Sequence, residues 1–337
     1  MMNVYVCVTL YHVYVTLLEV FSANIEKDKI IVLLNANNKQ IFRQFHYINE
    51  QLTKAGFKCD LRLHSKKKEL IGFEEMKNRE QFSYVKKMME QSAATKFTLY
   101  NFAWNNSYAY STVKLLYKKC ERAIFIEESA IIAKLPEEKK WKKYIQKIMG
   151  GVVDFYKDEK LQAIRVQKPE LFPQAWKPKL QKLELNLMLL KLSKDEKDTI
   201  LQMMSEDSIK IIELLKGPNV GIVFTSPFSE DHLITEQEKI NYTQQMCNYY
   251  KRYGEVIVKL HPRDTTNYHL ESNIPVLSES FPSELLALTG YKFKFAIAIC
   301  SSAVNTANAE SKINMNNDFL SNKKFVLRDI NGNVVQQ

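Results

Sequence analysis

Short apolar runs rich in β-branched residues recur along this chain, and longer segments of mixed polarity separate them. The runs predict buried strands, and the longer segments predict helices. Because strands alternate with helices, the expected fold class is α/β, with parallel sheets covered by helices on both faces. The predicted strands are 4–10, 30–34, 58–63, 97–100, 123–126, 220–224, 256–260, 275–277, 295–299 and 325–327.

The alternation is interrupted between residues 127 and 216, where the pattern turns helical and charged and is broken by Pro169, Pro173 and Pro178. A domain boundary is therefore expected in this region. We predict two domains, 1–180 with a helical connector and 181–337, arranged as two facing Rossmann-like domains with a cleft between them. The predicted helices are 11–21, 39–55, 82–91, 108–118, 194–204, 236–250 and 282–288.

The charge balance narrows the class of ligand. The chain carries 48 Lys and Arg residues against 38 Asp and Glu residues, a formal net charge of +10. This surplus suits an anionic substrate, an anionic membrane surface or nucleic acid. No recognisable nucleic-acid module accompanies the basic residues, so nucleic acid is not expected as a partner.

The cysteines and the apolar runs predict a cytoplasmic protein. The five cysteines are scattered without a C-x-x-C pair, and several lie inside apolar runs, as reduced core cysteines do. No apolar run approaches the length of a membrane span, and the amino terminus lacks the features of a signal peptide. Peripheral association with the inner face of the cell membrane and a homodimer both stay open.

Polar residues follow three predicted strands of the second domain, in the loops 225–231, 259–263 and 300–305. The carboxyl ends of parallel strands share one edge, where ligands bind in open α/β sheets. Pro262 restricts the residue before it to an extended conformation, so His261 is expected to point stiffly out of that edge. The alternative is a strand-ending histidine beside a turn proline.

Two further features of these loops each allow two interpretations. Ser301 and Ser302 open a predicted helix, where hydroxyl and N–H groups suit a phosphate, although simple N-capping explains them as well. Glu284 falls in the first turn of a predicted helix, where the dipole favours a carboxylate. It could equally accept hydrogen bonds from the two hydroxyls of a ribose.

Four motifs follow one another in the second domain: the acidic loop 225–231, His-Pro, Pro-x-Glu and Ser-Ser-Ala. In this order they resemble the motifs of the bacterial sialyltransferases. The chain is most similar to glycosyltransferase family 52, the lipooligosaccharide and capsule sialyltransferases. The opening segment 6–13 also resembles the first strand and turn of that family. The resemblance implies the GT-B arrangement and an inverting transfer of sialic acid from CMP-sialic acid to a galactose-terminated glycan.

The resemblance also implies roles for residues of the second domain. His261 would contact the CMP phosphate and help the leaving group depart, and Lys259 and Pro262 beside it would belong to the same donor-binding site. Ser301 and Ser302 would hold the phosphate, and Glu284 would bind the cytidine ribose. No cofactor or metal ion is expected, because CMP is already a good leaving group and no carboxylate pair with metal-site spacing lies near these loops.

The identity of the general base is open at this point. The family places an aspartate in the loop after the first strand of the second domain, where Asp231 is the first choice and Glu230 the second. The segment Glu127-Glu128-Ser129 resembles the Asp/Glu-Asp/Glu-Gly motif of sialyl- and polysialyltransferases, with serine in place of glycine. Glu127 or Glu128 could be the base, could position the acceptor, or could belong to a solvated strand end.

Acceptor recognition is expected from first-domain loops, with residues 100–106 as the candidate, because aromatic faces stack on sugar rings. A core role for these aromatic residues is the alternative. Two other functions compete with sialyl transfer. One is a related glycosyltransferase with a different nucleotide-sugar donor, and the other is a non-catalytic protein that binds sugar nucleotides or glycans.

Overall fold

The computed structural model describes residues 1–64, 71–102, 109–128, 157–278, 281–301, 303–315 and 325–335. The chain divides into two compact units, Met1–Glu196 and Lys197–Gln337. Each unit contains a parallel sheet flanked by helices, which confirms the predicted α/β class. Among the described residues, no helix is both long enough and apolar enough to cross a membrane.

The first unit is built on a seven-stranded parallel sheet with the order β3-β2-β1-β4-β5-β6-β7. Its central strands β1 and β2 are almost entirely buried, as apolar strands covered on both faces must be. The strands are β1 (Met2–Cys7), β2 (Ile30–Ala36), β3 (Lys58–Leu63), β4 (Phe97–Asn101), β5 (Arg122–Ile126), β6 (Leu161–Val166) and β7 (Leu180–Lys182).

The described helices of the first unit begin with α1, whose N-cap Thr9 accepts a hydrogen bond from the His12 backbone N–H. Such a cap satisfies one of the free N–H groups at the start of a helix. The helices are α1 (Leu10–Ser22), α2 (Lys39–Lys54), α3 (Ile71–Gln91), α4 (Ala109–Lys119) and α5 (Leu185–Lys191), followed by α6 (Lys194–Met204), which runs across the division between the units.

The prediction of a helical segment after residue 127 was wrong for β6 and β7, which are the last two strands of the first sheet. The apolar pattern did not reveal β6, because Arg165 lies within the strand, where it pairs with Glu19 of α1. The units divide after Glu196, whereas the sequence suggested 180/181. The intervening residues join the first unit because β7 pairs with β6 and α5 packs against α1.

The second unit contains a five-stranded parallel sheet with the order β10-β9-β8-β11-β12. The buried ring of Tyr250 packs beneath this sheet against Phe295, with ring centroids 5.3 Å apart. The elements are α7 (Ser208–Leu214), β8 (Val220–Phe224), α8 (Glu236–Tyr250), β9 (Glu255–Lys259), β10 (Val276–Leu277), β11 (Phe293–Ala298), α9 (Ala303–Thr306) and β12 (Ala309–Asn314).

Two predictions for the second unit were wrong. The last strand of the sheet is β12, a charged edge strand, whereas the expected strand 325–327 is irregular and precedes an isolated bridge between Arg328 and Val334. The expected α-helix 282–288 is a 3-10 helix, Ser283–Thr289. The strand β12 was missed because edge strands carry polar residues. The helix type was wrong because short helices often adopt the tighter 3-10 form.

The fold predicts that Gly221→Ala destabilises the second unit. Gly221 lies within the buried strand β8, and a Cβ atom there would lie 2.0 Å from the ring of Phe295. Overpacking of this kind costs about 1–3 kcal/mol or more. We expect a lower urea midpoint in unfolding followed by circular dichroism.

Gly217→Ala is the matched control, because its Cβ would meet the flexible carboxylate of Glu255 at 3.2 Å and Val220 at an ordinary contact distance of 3.8 Å. We expect the Gly217 variant to unfold close to the wild-type midpoint. An unchanged midpoint for Gly221→Ala would contradict the packing of β8 against Phe295.

Candidate functional site

The strand order of the second sheet brings three polar loops together at one edge. Strands β9, β8 and β11 are neighbours, and their carboxyl ends carry His261, Thr225 with Ser226, and Ser301. Paired strands lie about 4.8 Å apart, so these residues lie within a few strand widths of one another. The expected convergence of the loops is thus present in the fold.

Thr225 fixes the backbone at His261. The His261 N–H donates to the Thr225 hydroxyl at 2.9 Å, and that hydroxyl donates to the Asp264 carboxylate at 2.6 Å. The Asp264 N–H donates in turn to the His261 carbonyl at 2.9 Å, closing a turn. The His261 backbone is therefore held by one hydrogen bond to the loop after β8 and by one within its own loop.

The His261 ring has a defined tautomer. Its Nδ1 accepts a hydrogen bond from the Arg263 backbone N–H at 3.1 Å, so the proton of the neutral ring lies on Nε2. Partial burial lowers the pKa of His261, and the positive charges of Arg263 and Lys259 lower this pKa further against the opposing effect of Asp264 and Asp231. The ring is thus a neutral donor through Nε2–H.

A buried ion cluster supports this turn from below. The ammonium group of Lys239, on α8, lies 2.8 Å from Asp264 and 2.8 Å from Glu230, and its side chain is only 3% exposed. The Tyr268 hydroxyl donates to the same Asp264 carboxylate at 3.0 Å. The cluster ties the loops after β8 and β9 to one helix.

Glu230 is fully engaged in this cluster. Its carboxylate also accepts hydrogen bonds from the Thr265 N–H at 2.8 Å and from the Ser229 hydroxyl at 3.0 Å. Although burial raises the pKa of Glu230, the hydrogen bonds from Lys239, Thr265 and Ser229 outweigh burial and lower this pKa to about 2. A carboxylate held in this way is a weak proton acceptor.

A cavity of about 690 Å³ adjoins Glu230, and its walls also include Leu233, Thr235 and Thr266. Neither His261 nor Ser301 lines it. The cavity therefore lies beside the loops after β8 and β9, and the His261 and Ser301 side chains are not part of its wall.

Asp231 has a different environment from its neighbour Glu230. Both of its carboxylate oxygens accept hydrogen bonds from the Arg263 guanidinium, at 2.7 and 3.1 Å, and both side chains are exposed. The hydrogen bonds and positive charge of Arg263 lower the pKa of Asp231. While this pair persists, Asp231 is also a poor base.

The other donor-binding candidates are Lys259 at the end of β9, Pro262 in the turn that follows it, and Glu284 after β10. Lys259 is buried and its ammonium group donates to the Leu260 carbonyl, whereas Pro262 is exposed in the turn. Glu284 lies at the start of the 3-10 helix and accepts a hydrogen bond from the Ser283 hydroxyl at 3.3 Å. Within the described residues, Glu284 stands apart from the hydrogen-bonded group around His261.

The serine loop lies at the end of β11. Ser301 is buried, its hydroxyl accepts a hydrogen bond from the Ala303 N–H at 3.4 Å, and its carbonyl accepts one from Asn314 at 3.0 Å. The helix that follows, α9, has only four residues. The expected contribution of a helix dipole is therefore small, and Ser302 lies outside the described residues.

Glu127 and Glu128 lie at the carboxyl end of β5 in the first unit. Glu127 is buried and accepts a hydrogen bond from the Gln167 N–H at 2.6 Å; burial raises the pKa of Glu127 against this bond. Glu128 is exposed, and its carboxylate lies 3.5 Å from Nε2 of the buried His12. His12 accepts a hydrogen bond at Nδ1 from the Val8 N–H, so its Nε2 carries the proton toward Glu128.

The aromatic residues proposed for acceptor binding are core residues where the structure describes them. Tyr100 stacks on Tyr5 at 4.2 Å, and Phe102 stacks on His12 at 4.4 Å. Both side chains are buried, which favours the core alternative for these two. Residues 103–106 of the same candidate segment lie outside the described residues.

Sequence reasoning did not single out Thr225, Lys239 and Asp264 as positioning residues. Thr225 and Asp264 flank the strand ends already identified, so their location was a usable signal. Lys239 gave no such signal, because a lysine on a polar helix is usually a solvated residue. Within the parts of the chain that the structure describes, no three His, Cys, Asp or Glu side chains are grouped to hold a metal ion.

Comparison with known proteins gives three findings. Residues 177–316 match glycosyltransferase family 52. A Haemophilus influenzae protein described as uncharacterized is 30% identical over 167 residues, which are 49% of this chain and 54% of that protein. The chain thus spans about half the length of this curated relative.

The crystal structure of Acinetobacter baumannii MurG aligns with 91% of this chain and 76% of that chain, at a TM-score of 0.37 and 9% sequence identity. This likeness is too weak to support an argument. The family match covers the His-Pro, Pro-x-Glu and serine motifs on which the resemblance rested. It confirms that resemblance over residues 177–316, where the chain is similar to glycosyltransferase family 52.

Proposed function

We propose that this chain is an inverting sialyltransferase that moves sialic acid from CMP-sialic acid to a galactose-terminated surface glycan, either lipooligosaccharide or capsular polysaccharide. The observation that carries the proposal is the neutral His261 ring at the carboxyl edge of the second sheet. Thr225 and Asp264 hold the His261 backbone, and the Arg263 N–H donates to the ring Nδ1, which leaves Nε2–H as the donor. The match of residues 177–316 to glycosyltransferase family 52 supports a nucleotide-sugar donor and a glycan acceptor.

The leaving group departs at this edge. As the bond between sialic acid and CMP breaks, negative charge grows on the phosphate, and fixed donors stabilise that charge. His261 donates through Nε2–H, and Ser301 and Ser302 add hydroxyl donors. Lys259 and Arg263 make the local potential positive, as their effect on the pKa of His261 indicates. Glu284 binds the hydroxyls of the cytidine ribose, and Pro262 keeps the turn rigid.

Inversion at the anomeric carbon requires a base on the face opposite the leaving group. We assign this role to Asp231 in preference to Glu230, whose low pKa and buried partners make it a structural residue. Glu127 and Glu128, at the end of β5, are assigned to positioning the acceptor. The two units would then face each other across a cleft in the GT-B arrangement.

The reaction proceeds without a metal ion or other cofactor in this proposal, because His261, the serine hydroxyls and the nearby cations meet the phosphate charge. The predicted location is the cytoplasm, and the predicted donor is CMP-sialic acid. The basic surface suits peripheral association with the inner face of the membrane, and a homodimer fits the proposal equally well.

The proposed function is tested by measuring CMP release from CMP-sialic acid with lactose as the acceptor, in the presence of EDTA. We expect release and formation of sialyl-lactose, both unaffected by the chelator. Turnover only with UDP-hexoses would indicate a related glycosyltransferase, and abolition by EDTA with rescue by manganese would contradict metal independence. Binding of CMP without turnover of any donor would indicate a non-catalytic protein.

The assignment of the base predicts a graded series of variants. Asp231→Asn should lower kcat by roughly two orders of magnitude or more and remove the acidic limb of its pH profile, because that limb reports ionisation of the base. CMP binding should not weaken. We expect Glu127→Gln and Glu128→Gln to raise KM for lactose more than they lower kcat.

Glu230→Gln is the matched comparison, since it changes the adjacent carboxylate. We expect it to lower the thermal midpoint by leaving Lys239 with one fewer buried partner, while the acidic limb of the pH profile is retained. If Glu127→Gln or Glu128→Gln abolished turnover while Asp231→Asn was tolerated, the base would belong to the first unit.

A further inference from the structure

The proposed base is occupied in the ligand-free chain. Arg263 donates to both oxygens of Asp231, at 2.7 and 3.1 Å. A sugar hydroxyl cannot approach either oxygen from the side that Arg263 occupies. The pairing also lowers the pKa of Asp231. Asp231 would therefore be a stronger base once Arg263 has left it.

Arg263 is placed to respond to a phosphate at His261. Its backbone N–H donates to the His261 ring, and its positive charge acts on that ring. A guanidinium group binds a phosphate and a carboxylate with the same two-pronged geometry, so the two anions compete for one fork. Donor binding next to His261 would bring such a competitor to the turn that carries Arg263.

The two ion pairs of the loop after β8 differ in how easily they exchange partners. Lys239 is 3% exposed and its two carboxylates are largely buried, so separating them would leave buried charges without partners. The Arg263 and Asp231 side chains are 62% and 38% exposed. Exposed pairs contribute little net stability, because water and salt replace the interaction when it opens. Arg263 can therefore change partners at a lower cost in free energy than Lys239.

We propose that Arg263 is a donor-binding residue that leaves Asp231 for the phosphate of the bound nucleotide sugar and thereby frees Asp231 to accept the acceptor's proton. This inference rests on the proposed function and adds an order to it: the donor binds first, and the base becomes competent only afterwards. Loss of the Arg263 contact raises the pKa of Asp231 toward its ordinary value, which strengthens it as a base.

The exchange predicts opposite effects of the two partners on CMP affinity, measured by isothermal titration calorimetry with the full chain. Arg263→Gln should weaken CMP binding by about tenfold or more, because a charge-assisted contact with the phosphate is lost. Asp231→Asn should tighten CMP binding by about two- to fivefold, because Arg263 no longer has to leave an exposed partner. In the double variant, Asp231→Asn should have no further effect.

A matched pair of controls lies in the same unit. Lys294 and Glu310 form an exposed ion pair at 2.9 Å, near the amino ends of β11 and β12 and so at the opposite edge of the sheet. Lys294→Gln and Glu310→Gln remove the same charges as the test variants. Both should bind CMP like the wild type. Cytidine, which lacks the phosphate, should bind the wild type and the Arg263→Gln variant equally.

The outcomes separate this inference from the function on which it rests. Wild-type CMP affinity in Arg263→Gln, or weaker binding in Asp231→Asn, would overturn the exchange while leaving CMP as the donor nucleotide. An equal loss of cytidine affinity in Arg263→Gln would show that the arginine serves the nucleoside and would also overturn the inference. Failure of the wild-type chain to bind CMP would refute the proposed function itself. Circular dichroism confirms that each variant is folded.

Discussion

The buried contact of Lys239 with Asp264 and Glu230 is the interaction on which the candidate site of the second unit depends. Burying an ammonium group is costly unless carboxylates and hydrogen bonds compensate it, so the three side chains fix one another. Through Asp264 and Thr225 this constraint reaches the backbone of His261. Donors fixed before the reaction need no reorganisation as charge develops on a leaving phosphate.

The same edge combines a rigid ion cluster with an exchangeable ion pair. Glu230 and Asp231 are adjacent in the chain, yet one carboxylate is locked in the buried cluster and the other is held by an exposed arginine. The environment therefore separates a structural acid, Glu230, from the proposed base, Asp231, as often occurs where two carboxylates share a site. Donor-dependent release of Asp231 would prevent the base from acting before the nucleotide sugar is in place.

Sequence patterns predicted what depends on local chemistry. The apolar runs located most strands, and Pro262 after a buried strand located His261 at the sheet edge. Strands β6 and β12 were missed because Arg165 in β6 and the polar residues of the edge strand β12 follow contacts with distant parts of the chain. The roles of Lys239 and Glu230 could not be predicted for the same reason, since their partners lie 9 to 35 residues away.

The most direct test of the account is the state of the His261 ring, observed by nitrogen-15 NMR of the histidine side chains and assigned by the signal lost in His261→Gln. We expect a neutral ring protonated on Nε2 in the free protein, and a shift of that Nε2–H signal when CMP saturates the site. A ring protonated on Nδ1 alone, or a His261 signal unchanged by saturating CMP, would contradict the account.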